Sequence, residues 1–313
     1  MRGALPLFRF LDDCHARGER TVLVTLTDLL GRSSRAPGAH MAISQSGASM
    51  GSFSGGCVEA AVVAEALEVL ETGHARLVRF GAGSRYIDIR LPCGGGIDLL
   101  FTPDPDRGTV AAITDRLTQR APALFALEKS GGISLAAGAP EGWQGDRFLC
   151  RHDPDPALLI VGHGEETLAL VRLALAYPAG VGVLSPDRSI VDHARQIGAN
   201  AYRLLSPQST DAVMADPFTA IIFLFHDHDW EADLMMKALS TPAYFIGAMG
   251  SRGTHALRCE ELRRRGVSKM DVDRIIGPVG LIQAVRDPAM LAVSILAQLV
   301  ASGGARPDLM VEA

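Results

Sequence analysis

The chain has 313 residues, 48% of them hydrophobic, and a formal net charge of -5. That length suggests about two domains, each with enough apolar sequence for a packed core. The acidic balance excludes a general attraction for nucleic acid, so any anion site must be built locally.

The first twenty residues, MRGALPLFRFLDDCHARGER, mix acids and bases soon after an apolar start and offer no cleavage site, unlike a signal peptide. Residues 5–18 within them predict an amphipathic helix ending at Gly18. TVLVTLTDLL (21–30) and HMAISQSG (40–47) read as strands, the second ending in a turn. VEAAVVAEALEVLETG (58–73) has helical spacing and stops at Thr72-Gly73. RLVRFGAG and YIDIRLPCGGGIDLLFTP alternate as strands, residues 109–128 predict a helix, and short strands with the turn-rich AGAPEGWQGD lead to Cys150.

HDPDPA (152–157) reads as a linker, and the predicted domains are therefore 1–152 and 153–313. Beyond it the rhythm is strand, turn, helix. ALLIVGHG (157–164), GVGVLSPD (180–187), TAIIFLFH (219–226) and AYFIGAMG (243–250) are buried-strand runs, each followed by a helical stretch. The expected fold class is α/β throughout: a mixed α/β N-terminal domain, then a Rossmann-like, doubly wound parallel sheet. The most apolar run, TAIIFLF (219–225), is too short to span a bilayer, so a cytoplasmic protein without membrane contact is expected.

Five cysteines, odd in number, widely spaced and without a C-x-x-C pair, argue against a disulfide framework or a structural zinc site. Cys14, Cys150 and Cys259 read as small buried hydrophobes. Cys57 and Cys93 differ. Cys57 ends the loop GSFSGGC before a predicted helix, where unpaired N–H groups favour anions and lower a thiol pKa. Gly51, Gly55 and Gly56 would let the backbone approach a ligand, and Ser52 and Ser54 add hydroxyl donors. Cys93 stands before Gly94 and Gly95 in PCGGG, poor strand chemistry unless something approaches closely. GRSSRAPGAHM (31–41) adds Arg32, Arg35 and His40 as local cations. Glycine clusters usually mark turns, and GSFSGG has no P-loop lysine after it. Two soft thiols, glycine-lined backbone and cations together suit an anionic ligand that carries a soft or sulfur-bearing metal.

GRSSRAPGAHM, GSFSGGCVE and LPCGGG resemble, in that order, the N-terminal domain of the XdhC/CoxI family, accessory proteins of xanthine dehydrogenase and related molybdenum hydroxylases. The resemblance implies a molybdenum-cofactor-binding chaperone rather than a metabolic enzyme, one that supports sulfuration of the cofactor and its insertion into the apo-enzyme. It maps the family cysteines to Cys57 and Cys93, as metal ligands or carriers of a transferable sulfur, and the family arginine to Arg35. Ser34 replaces the family's proline. With the loop N–H groups taking the cofactor phosphate, the expected cofactor-binding set is Arg35, Gly51, Ser52, Ser54, Gly55, Gly56, Cys57, Cys93, Gly94, Gly95 and Arg252. The implied partners are a molybdenum hydroxylase apo-subunit, a cysteine desulfurase and a second copy of the chain.

LLIVGHGEE, FHDHDWE, AYFIGAMGSR and IIGPVGLIQAVRDPAMLAVSILAQL extend the resemblance across roughly 157–300. The dinucleotide fingerprint is damaged. Gly162 and Gly164 remain, but Thr167 replaces the last small residue, and Glu165 and Glu166 stand where a pyrophosphate would lie. Asp187 has the spacing of a ribose-binding acid, and GAMGSR (247–252) offers an anion loop with Arg252. His226, Asp227, His228 and Asp229 make a metal-like cluster, read equally as strand-end hydrogen-bonding residues. Ala289, Met290 and Gln298 stand where the family tends to have acids, which favours a scaffold or docking role for this half. The competing functions are an NAD(P)-dependent oxidoreductase, against which the two glutamates argue, and a sulfurtransferase with a persulfide on Cys57 or Cys93.

Overall fold

The computed structural model describes all residues except 1–2, 32, 34, 57, 85–93, 139, 178–179, 227, 283 and 303–313, and describes only the backbone of residue 228. The chain divides into two units, Met1–Pro154 and Asp155–Ala313.

The first unit runs α1 (Leu5–Ala16), β1 (Thr21–Leu30), β2 (His40–Ser44), β3 (Ser49–Gly51), α2 (Glu59–Thr72), β4 (Arg76–Gly81), β5 (Gly96–Pro103), α3 (Arg107–Thr118), β6 (Ala123–Glu128), β7 (Ile133–Leu135), β8 (Gly142–Gln144) and β9 (Arg147–His152). Its strands form two antiparallel sheets, ordered β3-β2-β1-β5-β4 and β7-β6-β9-β8. The period-2 alternation of β1 sorts its side chains between two cores. Val22, Val24 and Leu26 pack with Val62, Ala66 and Val69 of α2. Leu23 packs with Leu7, Phe8 and Leu11 of α1, Val110 and Ile113 of α3, and Phe125 and Phe148 of the second sheet. The larger sheet is thus covered on both faces, which is why Thr21 through Thr27 are all buried. Burying each leucine or phenylalanine contributes about 1.5–3 kcal/mol relative to exposure.

The helix predicted for residues 109–128 is corrected. α3 ends at Thr118, Arg120 takes a left-handed conformation (φ 58°), and Pro122 follows it. ALFALE then pairs as β6 with β9. Ala123, Phe125, Ala126 and Leu127 are buried there, so core packing decides for strand over the helical propensity of alanine and leucine.

The second unit runs β10 (Ala157–Gly162), α4 (Gly164–Ala176), β11 (Gly180–Ser185), α5 (Arg188–Gln196), β12 (Asn200–Arg203), β13 (Thr219–Leu224), α6 (Glu231–Leu239), β14 (Phe245–Ala248), α7 (Arg252–Arg264), α8 (Lys269–Val272), β15 (Ile275–Ile276) and α9 (Pro288–Ala301). The strand order β12-β11-β10-β13-β14-β15, all parallel, is the doubly wound arrangement, with its switch point between β10 and β13. Leu158 and Ile160 face a core shared with Leu170, Val191 and Ile295, on α4, α5 and α9. Leu159 and Val161 face one shared with Leu234, Leu262 and Val272, on α6, α7 and α8. The fold class read from the sequence is that of the structure. Among the described residues, no helix is long and apolar enough to cross a membrane.

Candidate functional site

Antiparallel pairing brings three sequence motifs to one end of the five-stranded sheet. Leu30, the last residue of β1, pairs with Gly96, the first of β5. Gly81, the last residue of β4, pairs with the same Gly96. Gly51, the last residue of β3, pairs with Met41 near the start of β2. The segments 31–39, 52–58 and 82–95 therefore leave the sheet at the same end. A Cβ placed on Gly31 would lie 3.5 Å from Gly95 Cα, so the first and third motifs touch. Arg35 joins the first to the second, its Nε donating to the Ser52 carbonyl at 3.2 Å. Among the described residues its two Nη groups take no hydrogen bond, which leaves a half-buried cation with open donors. Cys57, Cys93 and Arg32 lie outside the described residues.

Gly51 is required by its surroundings. Its φ is 107°, and a Cβ there would stand 2.5 Å from the His40 carbonyl oxygen. Gly56, at φ 126°, turns its N–H inward, and among the described residues nothing lies within 4 Å of where its Cβ would be.

The N–H groups expected to meet a phosphate are already engaged by a side chain of the chain itself. Glu59, in the first turn of α2, folds back over the loop. Its Oε1 accepts from Ser52 Oγ (2.9 Å), Phe53 N (2.9 Å) and Ser54 N (2.8 Å). Its Oε2 accepts from Ser54 Oγ (2.9 Å), Gly56 N (2.7 Å) and Val58 N (3.2 Å). Ser52 Oγ also accepts from Gly55 N at 3.0 Å. Partial burial pushes the Glu59 carboxyl up, but the hydrogen bonds from the Ser54 amide and the Ser52 and Ser54 hydroxyls outweigh it and hold the group at about 2. Glu59 was missed in the sequence. Its signal is an acid in the first helical turn behind a run of serines and glycines, where Val58 supplies no side-chain cap.

His40, read as a local cation, is corrected too. It is buried, with Nδ1 2.8 Å from Thr25 Oγ1 and Nε2 2.8 Å from His152 Nε2. Phe8 and Phe125 close around the pair, with ring centroids 6.1 and 5.8 Å from that of His40. Burial, then the neighbouring His152, pushes its pKa well below the ordinary value, so the imidazole is neutral. Cys14 and Cys150 are buried in the same unit, and burial raises both thiols. They are inert hydrophobes, whereas Cys259 is half-buried, 3.6 Å from His255 Nε2.

In the second unit, a cleft of about 820 Å³ opens at the carboxyl ends of β10, β13 and β14, lined by Glu166, His226, Ser251, Arg252 and Arg286 among others. Such crevices are where doubly wound sheets bind ligands. The first strand–helix turn is covered from inside. Glu166 Oε2 lies 3.0 Å from where a Gly164 Cβ would be, its Oε1 is 3.4 Å from His226 Nε2, and that imidazole stacks on His163. Asp187 caps α5, accepting from Ser189 N at 2.8 Å. Ser251 caps α7 beside Arg252, so the 247–252 loop places that arginine at a helix start on the cleft. Asp227 and the side chain of His228 fall outside the description, and among the described residues no group of three histidines, cysteines or acids is placed to hold a metal.

Comparison with known proteins gives these loops a context. Residues 14–81 match the XdhC and CoxI family, and residues 158–299 match the XdhC Rossmann domain. The chain is 34% identical over 295 residues to the molybdenum cofactor insertion chaperone PaoD of Escherichia coli, covering 94% of this chain and 86% of that one. It is 23% identical over 206 residues to the uncharacterized protein YqeB of the same organism, covering 62% of this chain and 36% of YqeB. The crystal structure of a xanthine dehydrogenase from Bacillus halodurans superposes with a TM-score of 0.74 at 21% identity over 94% of both chains, a likeness of fold. The chain belongs to the XdhC and CoxI family.

Proposed function

We propose that the protein is a molybdenum-cofactor-binding chaperone that supports sulfuration of the cofactor and its insertion into a molybdenum hydroxylase such as xanthine dehydrogenase. The observation that carries this reading is that Leu30, Gly51, Gly81 and Gly96, the strand residues that bound the three motifs, share one end of the sheet. The identity with a molybdenum cofactor insertion chaperone supports it.

The described residues fit an anionic, metal-bearing pterin. Among the described residues, the Arg35 Nη groups have no hydrogen-bond partner and no atom lies within 4 Å of where a Cβ on Gly55 or Gly56 would be, which leaves donors and backbone for a flat ligand. Gly94 and Gly95 add glycine backbone in the third motif, where Gly95 lies against Gly31 of the first. Cys57 and Cys93 lie within the second and third loops and are the candidate molybdenum ligands or sulfur carriers. When bound, the cofactor supplies a thiophilic metal and a phosphate; the protein binds, orients and shields it. Arg252 lies on the cleft of the second unit and is a separate candidate for binding an anionic group there. If Cys57→Ala and Cys93→Ala both retain cofactor like wild type after desalting, thiolate ligation is wrong.

The partners of this reading are the apo-subunit of the client enzyme and a cysteine desulfurase, which supplies the sulfur. A second copy of the chain is the third. α9 contains no charged residue, and its two polar side chains turn inward: Ser294 Oγ accepts from Ile282 N at 2.7 Å and Gln298 Oε1 from Gly280 N at 2.6 Å. Met290, Val293 and Val300 are left exposed. An uncharged helix face is complemented by another uncharged face, and a two-fold pairing of α9 supplies one. The cytoplasm is the compartment we propose, with Cys14 and Cys150 free in agreement.

A further inference from the structure

The carboxylate of Glu59 occupies the place that an anion-binding loop keeps for its ligand. Four backbone amides and two hydroxyls converge on its two oxygens. Charge-assisted hydrogen bonds of this kind are among the stronger ones in proteins. A phosphate entering the same nest would have to break them while meeting a like charge on the side chain it displaced. Gly56 N and Val58 N, the amides on either side of Cys57 in the sequence, donate to the same Oε2.

We infer that Glu59 is a positioning residue whose side chain fills the amide nest of the 52–58 loop, fixes that loop for cofactor binding and keeps the cofactor phosphate out of the loop amides. The phosphate is left to Arg35, whose Nε is already engaged with the Ser52 carbonyl and whose Nη groups have no hydrogen-bond partner among the described residues. This rests on the cofactor-binding reading, but its local part, the filled nest, can be measured without any cofactor.

The test uses the full chain as wild type, Glu59→Ala and Glu59→Gln, with hydrogen exchange of the amides of Phe53, Ser54, Gly56 and Val58 and pterin retention as separate readouts. In wild type without cofactor, these amides are protected, and loading leaves them protected. In Glu59→Ala they exchange faster, and retention falls about tenfold or more. Formate, a small carboxylate able to fill the emptied nest, restores both in part. Glu59→Gln, which keeps one acceptor oxygen, falls between. A purely structural role in folding would not respond to formate. Three results overturn the inference: Glu59→Ala amides that stay protected, retention unchanged in that variant, or wild-type amides that lose protection on loading, which would make Glu59 a placeholder ejected by the ligand. If wild type retains no pterin, the cofactor reading fails, while amide protection and its rescue by formate still decide whether Glu59 fixes the loop. Should Glu59→Ala fail to fold, Glu59→Gln carries the comparison.

Discussion

Acidification should weaken the first unit through His40. The imidazole lies between Thr25 and His152 with Phe8 and Phe125 around it, and its pKa is depressed by burial and then by His152. In the unfolded chain a histidine titrates near about 6.5. A base with a depressed folded value takes up its proton later than the unfolded chain does. Its stabilising contribution is therefore fully present above the unfolded pKa and is lost as pH falls toward the folded one. Below the unfolded pKa the slope from one histidine approaches about 1.4 kcal/mol per pH unit and falls off again near the folded value, so acidification through this window costs at most that much per unit. The chain has two tryptophans, Trp143 in the first unit and Trp230 in the second. Urea unfolding in a Trp230→Phe background, followed by Trp143 fluorescence, isolates the first unit. His40→Gln keeps hydrogen-bonding capacity without a proton to titrate, and the carboxylates titrate alike in both proteins. As pH falls below about 6.5 the wild type should lose stability faster than His40→Gln, by up to about 1.4 kcal/mol per pH unit. Parallel stability curves would refute the reasoning.

In the second unit, Arg258 and Glu231 form a buried bidentate pair at 3.0 and 3.1 Å, and Arg258 also donates to the Met249 carbonyl at 2.8 Å. Glu231→Ala leaves a buried guanidinium uncompensated and should cost about 3–5 kcal/mol, whereas Glu231→Leu with Arg258→Met should cost less; denaturant melts of the two decide it. If the proposed two-fold pairing of α9 holds, Val293→Glu, which places a charge on its exposed apolar face, should shift the protein from dimer to monomer in sedimentation. An unchanged distribution removes α9 from the interface.

The parallel-sheet unit was the more legible half. Runs such as ALLIVG and TAIIFL are apolar on both faces, because both faces are covered. The antiparallel unit was harder. ALFALE has the composition of a helix and becomes a strand only because β9 and the core beneath it claim Phe125 and Leu127. The gathering of the three motifs was not visible in spacing, since it depends on which strands pair: Leu30 and Gly81 both meet Gly96. The sequence showed an anion loop but not its occupant. Glycines and serines identify donors, whereas the acceptor, Glu59, lies in the helix that follows and looks like an ordinary first-turn acid. His40 looked like one of several cations until β9 brought His152 to within 2.8 Å of it.

The central claim is that the loops at the end of the five-stranded sheet bind molybdenum cofactor. It is tested most directly by anaerobic incubation of the wild-type protein with the cofactor, desalting, oxidation and measurement of pterin fluorescence, with nicotinamide dinucleotide titrated in parallel. The account predicts retained pterin that falls in Cys57→Ala or Cys93→Ala, with no saturable response to the dinucleotide. No retained pterin in the wild type, or a saturable dinucleotide response without it, would contradict the account and move the function to the parallel-sheet cleft.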